Sequence, residues 1–231
     1  AEELFALPAV KDGQRHQLDV KELVAAVQRR APLYDKAQEG HYNLISALHK
    51  SLRGSDTDAA LYWLARMLVG GEDPLYVARR LVRFAVEDVG LADPQALVQA
   101  LAAWDTYERL GSPEGELALA QCVIYLGTAP KSNAAYVAIG AANSAARETG
   151  SLMPPKHILN APTKLMRDLG YAKGYEYDHN APDAFSGQNY FPEDMARQRF
   201  YEPVDRGFER EIKKRMEYWD KLRQQRQDEG E

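Results

Sequence analysis

The sequence has a single cysteine, Cys122, inside the apolar run LALAQCVIYL. A disulfide framework is therefore excluded, and a reducing compartment fits. No apolar stretch approaches the roughly 20 residues that cross a bilayer. The N-terminus has no basic region followed by an apolar one, so no secretion leader is expected and the cytoplasm is the expected location. There is little excess charge: 29 Lys and Arg face 34 Asp and Glu, a net of −5. Such a balance gives no general attraction to nucleic acid, so any contact must come from a local patch. A phosphate loop is also missing. The nearest stretch, Gly127-Thr-Ala-Pro-Lys131-Ser132, has proline where glycine should precede lysine, and it follows a helical pattern rather than a strand. It reads as a helix-to-helix turn with Ser132 as cap. No nucleophile elbow occurs. Of the 5 histidines, His41 and His49 are too far apart for the i, i+4 pair of a helical zinc site, and His157 and His179 fall in separate loops. No metal site is expected.

What is present is helical rhythm. Two apolar patterns meet at the polar elbow Arg53-Gly54-Ser55-Asp56. Gly54 suits a helix end, and Ser55 or Asp56 can cap the next helix. Ala59, Ala60, Leu61, Trp63, Leu64, Met67 and Leu68 cover nearly all of that next helix, which predicts an enclosed element. Later helix starts are signalled by Asp73-Pro74, Asp93-Pro94 and Ser112-Pro113, and ends by Gly70-Gly71, Gly90 and Gly111. This spacing predicts antiparallel helices joined by short turns. The helix over 75–89 is expected to bury Leu75, Ala78, Leu81, Val82, Ala85 and Val89. That over 95–110 should bury Leu97, Leu101, Trp104 and Tyr107, and that over 114–127 should be central. A sixth, 133–149, is rich in Ala and Gly, so a second backbone could approach it closely. Upstream, Asp19 can cap a helix with the stripe Leu23, Val24 and Val27, and 31–40 reads as loop. Beyond Pro155 come a short helix at 163–169 and an aromatic-rich, turn-rich stretch, read as an ordered arm with at most one small hairpin. A last helix, 205–227, carries the thin stripe Phe208, Ile212, Met216, Trp219 and Leu222, with fraying expected after Gln227. The fold class is all-α: an antiparallel bundle with an irregular arm and a C-terminal amphipathic helix.

Several stretches, taken in order, resemble the RarA/MgsA family. These are Tyr34-Asp35-Lys36, HYNLISALHKS, RGSD, DAALYWLARML, Gly71-Glu72-Asp73-Pro74, Arg79-Arg80 and Glu87-Asp88 with the adjoining GLADP. Gly111-Ser-Pro-Glu-Gly-Glu, Ala129-Pro-Lys-Ser-Asn, Asn160-Ala-Pro-Thr-Lys-Leu-Met and Phe200-Tyr201-Glu202-Pro203 continue the likeness over almost the whole chain. The family comprises replication-associated recombination AAA+ ATPases, related to clamp loaders and to the Werner-helicase-interacting ATPase. The resemblance implies a C-terminal part without its motor. ATP and Mg would be held by an N-terminal part missing here, with no cofactor in this fragment. It implies a clamp-loader collar-like bundle, with 1–40 a remnant of the AAA+ lid domain and linker. Residues 41–155 would form the oligomerisation domain, and 156–231 an arm and helix packed on it. It implies a homo-oligomer, a tetramer, acting at stalled forks in a nucleoid-associated, cytoplasmic protein. DNA would be reached through the full-length protein, and replication proteins such as single-stranded-DNA-binding protein are implied partners.

Two groups of residues invite a site. Arg53 with Asp56, and Arg79, Arg80 and Arg83 with Glu87 and Asp88, read as ion pairs closing gaps between helices or as a contact for a partner or phosphate. Lys156, His157, Lys164, Arg167 and Lys173 meet one acid, Asp168, and are interleaved with Tyr171 and Tyr175. Bases with aromatic rings can hold phosphates and stack on bases, and a solvated loop is the plain alternative. Three functions stay open: an assembly domain, a helical module docking single-stranded DNA or replication proteins, and a small-molecule enzyme using His179 with Tyr175, Tyr177 and Asp178.

Overall fold

The computed structural model describes residues 39–230. They form eight α-helices: α1 (Glu39–Arg53), α2 (Thr57–Val69), α3 (Pro74–Phe84), α4 (Gln95–Leu110), α5 (Glu116–Thr128), α6 (Ala134–Glu148), the short α7 (Lys164–Asp168) and α8 (Glu209–Gly230). No strand occurs among the described residues, and the fold is all-α. The expected helix after Asp19 lies outside the described residues, as does nearly all of 1–40. Glu39 and Gly40 already belong to α1 rather than to a loop. Among the described residues no helix is long and apolar enough to cross a membrane.

The helix starts arise from short carboxylates accepting from first-turn N–H groups. Asp56 accepts from Ala59 N at 3.0 Å, Asp73 from Leu75 N at 2.9 Å and Asp93 from Gln95 N at 3.0 Å. Ser112 does not cap: α5 begins later, at Glu116, and the Ser112 hydroxyl meets Tyr107 OH at 3.0 Å instead.

One core joins α1 to α5. Ile45, Leu48 and Leu52 of α1 meet Leu64 and Met67 of α2, Leu81 and Phe84 of α3, and Leu119, Val123 and Leu126 of α5. The hub is α5, which packs on all four preceding helices. Gly127 lets its end press on the start of α2, because a Cβ there would meet Thr57 Oγ1 at 2.7 Å. The expectation that α2 is enclosed on all sides is corrected. It buries Ala60, Leu64 and Met67 but leaves Tyr62 and Val69 exposed.

Two further departures concern α3 and α4. After Phe84 the chain widens into a π-turn, Ala85–Val89, and then a 3-10 turn, Gly90–Ala92, where one unbroken helix was expected. The bundle buries Val77 and Phe84 in place of Leu75 and Val82, which are only half-buried. On α4 the buried face is Ala96, Ala100 and Ala103; of the expected stripe, Trp104 and Tyr107 pack half-buried against the core, while Leu97 and Leu101 are exposed. Small residues at i, i+4 and i+7 let the helix axes approach, and large ones at those positions would hold them apart.

The second half of the chain is more open. On α6 only Ala134 is buried. The arm contains 3-10 turns at Lys156–Ile158, Asp178–Asn180 and Pro182–Ala184 and no hairpin. Phe191, Met195 and Phe200 line a shallow depression with Ala142 and Ala145 of α6 and its cap Thr149. Phe185 packs on Trp219 of α8, ring centroids 5.1 Å apart. The stripe of α8 is half-buried at Ile212, Met216 and Leu222, and the helix continues to Gly230 beyond the expected fraying point.

Candidate functional site

The first residue group divides into separate joints. Arg53 grips Asp88 with two bonds, Nε to Oδ1 at 2.5 Å and Nη2 to Oδ2 at 3.2 Å. Its expected partner Asp56 is engaged as the α2 cap, so that pairing is corrected. The π-turn carries Asp88 to the buried side, where it ties the end of α1 to the end of α3. Arg83 donates to Glu87 at 2.6 Å, one helical turn away. Arg79 lies over the Tyr76 ring, 5.3 Å from its centroid. Arg80 is half-buried beside His49, with its Nε lacking a hydrogen-bond partner. Burial, then the neighbouring Arg80 charge, pushes the His49 imidazole down to about 4. These side chains do not converge on a common pocket.

The basic segment is surface throughout. Lys156, Lys164, Arg167 and Lys173 are exposed, Tyr175 is exposed and Tyr171 is half-buried. Thr163 caps α7 by accepting from Met166 N at 3.2 Å. Arg167 donates to Ala161 O at 3.2 Å, which holds it against its own loop. Ala172 N donates to Lys156 O at 3.0 Å, bringing the two ends of the segment together. Lys156 and Lys173 are therefore neighbours, and Lys164 stands on the separate short helix.

The stretch Gly127–Ser132 is a turn between α5 and α6. Lys131 donates its ammonium to Gly127 O at 3.1 Å, to Ala129 O at 2.5 Å and to Ser55 at 3.3 Å, closing the C-terminus of α5. In the arm, Asp178 accepts from Ser186 N at 2.9 Å, Ser186 Oγ at 2.8 Å and Tyr190 OH at 2.9 Å. Those donors, Ser186 first, hold its carboxyl below the ordinary range. Asp178 thus orders a loop and does not face His179, whose ring rests on Tyr177. Among the described residues no three ligating side chains group together for a metal.

Sequence reasoning missed a buried polar junction. Glu209, at the start of α8, is 0% exposed. It accepts from Ser132 Oγ at 2.9 Å and from Val204 N at 2.7 Å. Phe208 N donates to Ala92 O at 2.8 Å beside it, and Ser132 N donates to Asp88 O at 2.8 Å. Gly207 has φ +51°, and a Cβ there would drive into the Ala92 carbonyl and the Pro130 ring. Of the two partners of Glu209, Val204 is local but Ser132 lies 77 positions away, so no local pattern announces the junction.

Apolar side chains also remain outside the core. On the outward sides of the antiparallel pair α2 and α5, Tyr62 is 55%, Val69 78%, Leu117 75% and Ile124 45% exposed. Tyr62, Ala65, Arg66 and Val69 recur at i, i+3, i+4 and i+7 and line one shallow apolar depression. Tyr136, Val137 and Ile139 of α6 are exposed as well.

Residues 54–220 match the family model described as "MgsA AAA+ ATPase C terminal", and residues 2–53 match one described as "AAA C-terminal domain". Among curated relatives, Replication-associated recombination protein A of Coxiella burnetii is 55% identical over 193 residues, 83% of this chain and 44% of that protein. Its namesake in Escherichia coli strain K12 is 48% identical over 208 residues, 90% of this chain and 46% of that protein. The ATPase WRNIP1 of Dictyostelium discoideum is 42% identical over 186 residues, 80% of this chain and 21% of that protein. The chain thus spans less than half the length of each of these relatives. With the helical bundle matched from its elbow to the last helix, the chain belongs to the MgsA family of AAA+ ATPases, as the C-terminal part.

Proposed function

We propose that this chain is the assembly domain of a replication-associated recombination ATPase. It joins subunits, as tetramers, so that their ATPase modules are held together around DNA at stalled forks. Residues 1–40 are the end of the lid and its linker, 41–155 the collar, and 156–231 the arm and helix that brace it. ATP and Mg are bound by another part of the protein, and this chain alone turns over no nucleotide. Assembly acts by mass action: each ATP site gains a neighbouring subunit, and weak DNA contacts are multiplied.

The observation that supports this reading is the apolar surface on α2 and α5. A well-packed bundle with enough core has no folding need to expose Val69 and Leu117 so fully. Burying each such side chain against a second copy is worth about 1.5–3 kcal/mol. Light scattering on this chain at micromolar concentration should give a mass several times the monomer. The double variant Leu117→Glu and Ile124→Glu should run as a folded monomer. A monomer mass for the unaltered chain would refute the role.

A further inference from the structure

The corner between α3 and α4, residues 85–93, is held from several sides. From α1, Arg53 grips the Asp88 carboxylate with two bonds. From the α5–α6 turn, Ser132 N donates to Asp88 O at 2.8 Å. From α5, Tyr125 OH donates to Asp93 at 2.7 Å. From the start of α8, Phe208 N donates to Ala92 O at 2.8 Å. Ser132 carries the contacts onward, since its hydroxyl donates to the buried Glu209 at 2.9 Å. The route from α1 to α8 thus runs through Arg53, Asp88, Ser132 and Glu209, each hydrogen-bonded to the next. Among the described residues no hydrogen bond or ion pair joins Arg53 to α8 directly.

The middle of that route is a turn with a second geometry open to it. Gly90 N donates to Ala85 O, five residues back, which is the π pattern. Just before it, Ala85 N still donates to Leu81 O, four residues back, so the wide turn is a local departure from the helix. Such turns are rare, occur mostly singly inside helices and recur at functional sites. An α-turn over the same residues would rotate Asp88 about the helix axis, carrying its carbonyl away from Ser132 and that of Ala92 away from Phe208. Gly90 sits at φ +53°, and a Cβ there would meet Ser132 O at 2.9 Å, so turn and loop are pressed together. Beyond its first turn α8 is tied to the arm: Trp219 meets Phe185, Asp220 pairs with Arg199, and Arg226 donates to Pro182 O at 3.2 Å. Whatever loosens the Glu209 junction therefore acts on the arm and α8 together.

We propose that this corner is a coupling joint. The Arg53–Asp88 pair and the Glu209 junction stabilise one another by selecting the π-turn, so that displacing α1 unlatches α8. Coupling of this kind is reciprocal and requires a two-state element that both sites bias; the turn over 85–89 is that element. The upstream family match ends at Arg53, so the joint passes the state of that upstream unit to the arm and α8. This regulation goes beyond the assembly role and does not depend on it.

The test is native-state hydrogen exchange on this chain, arranged as a double-mutant cycle. Arg53→Ala should cut the protection of the Phe208 amide about tenfold or more, although the side chain removed does not touch α8. Val123 should stay better protected than Phe208, the mark of a bundle that remains folded while α8 opens. Glu209→Ala is the second single variant. With both substitutions present, the loss at Phe208 should fall short of the product of the two single losses by about threefold or more, because one latch gone leaves less for the other to hold. Asp88→Asn keeps the carbonyl that holds Ser132 but weakens the ion pair, and should cut Phe208 protection severalfold. Unchanged Phe208 protection in Arg53→Ala overturns the proposal, since an uncoupled pair would survive the opening of α8. Losses that simply multiply in the double variant overturn it as well. If Arg53→Ala fails to fold, Asp88→Asn takes its place in the same cycle.

Discussion

Glu209→Ala should release the C-terminal helix from the bundle without melting the bundle. The carboxylate is fully buried and accepts from Ser132 Oγ and Val204 N, at 2.9 and 2.7 Å. Each hydrogen bond to a charged group contributes about 1.5–3 kcal/mol, and truncation leaves two donors unpaired. Two bonds at the lower figure, with water entering the vacated space, give a loss of about 3 kcal/mol. That is about a hundredfold in the opening equilibrium of the junction. Native-state hydrogen exchange reads it directly. The amides of Phe208, bonded to Ala92 O, and of Ala134, bonded to Ser132 Oγ, should lose about two decades of protection, while those of Leu48 and Val123 in the core should not change. Glu209→Gln retains an acceptor for Val204 and an amide for Ser132, and should restore most of the loss. Less than a fivefold change in the alanine variant, or an equal loss across α1 and α5, would refute the junction as described.

His49 gives a pH dependence of known sign. Its folded value of about 4 lies below the ordinary 6.5, so the unfolded chain takes up the proton first. Stability is therefore complete above pH 6.5 and falls toward pH 4, by at most about 3 kcal/mol, and His49→Leu should flatten that slope in urea titrations. A slope unchanged by the substitution would show that other groups cause it. Burial pushes the Cys122 thiol up to about 12, so at pH 8 a maleimide should label the native chain far more slowly than the chain in denaturant. Equal rates would mean that the α4–α5 packing around Cys122 opens readily.

Local chemistry made much of the fold legible. Asp56, Asp73 and Asp93 act on N–H groups two or three residues away, so the sequence around each is enough to locate the helix start. The all-α class and the central place of α5 come from periodicity alone. Burial on α4 cannot be read from side-chain size, which points to the larger apolar residues as the inward face. There the close approach of helices selects Ala96, Ala100 and Ala103, and Leu97 and Leu101 are left outside. Partners distant in sequence were invisible: Arg53 meets Asp88 across 35 positions, and Ser132 meets Glu209 across 77. The π-turn that brings Asp88 inward has no residue signature of its own.

The two family models meet at Arg53 and Gly54, yet α1 lies before that seam and contributes Ile45, Leu48 and Leu52 to the interior of the later module. Anyone excising that module at the seam would carve out three side chains worth about 1.5–3 kcal/mol apiece and uncover a greasy trough. Asp88 would also lose the cation that neutralises it. The seam in the family description is thus no place to cut: the helix before it is part of the interior that follows.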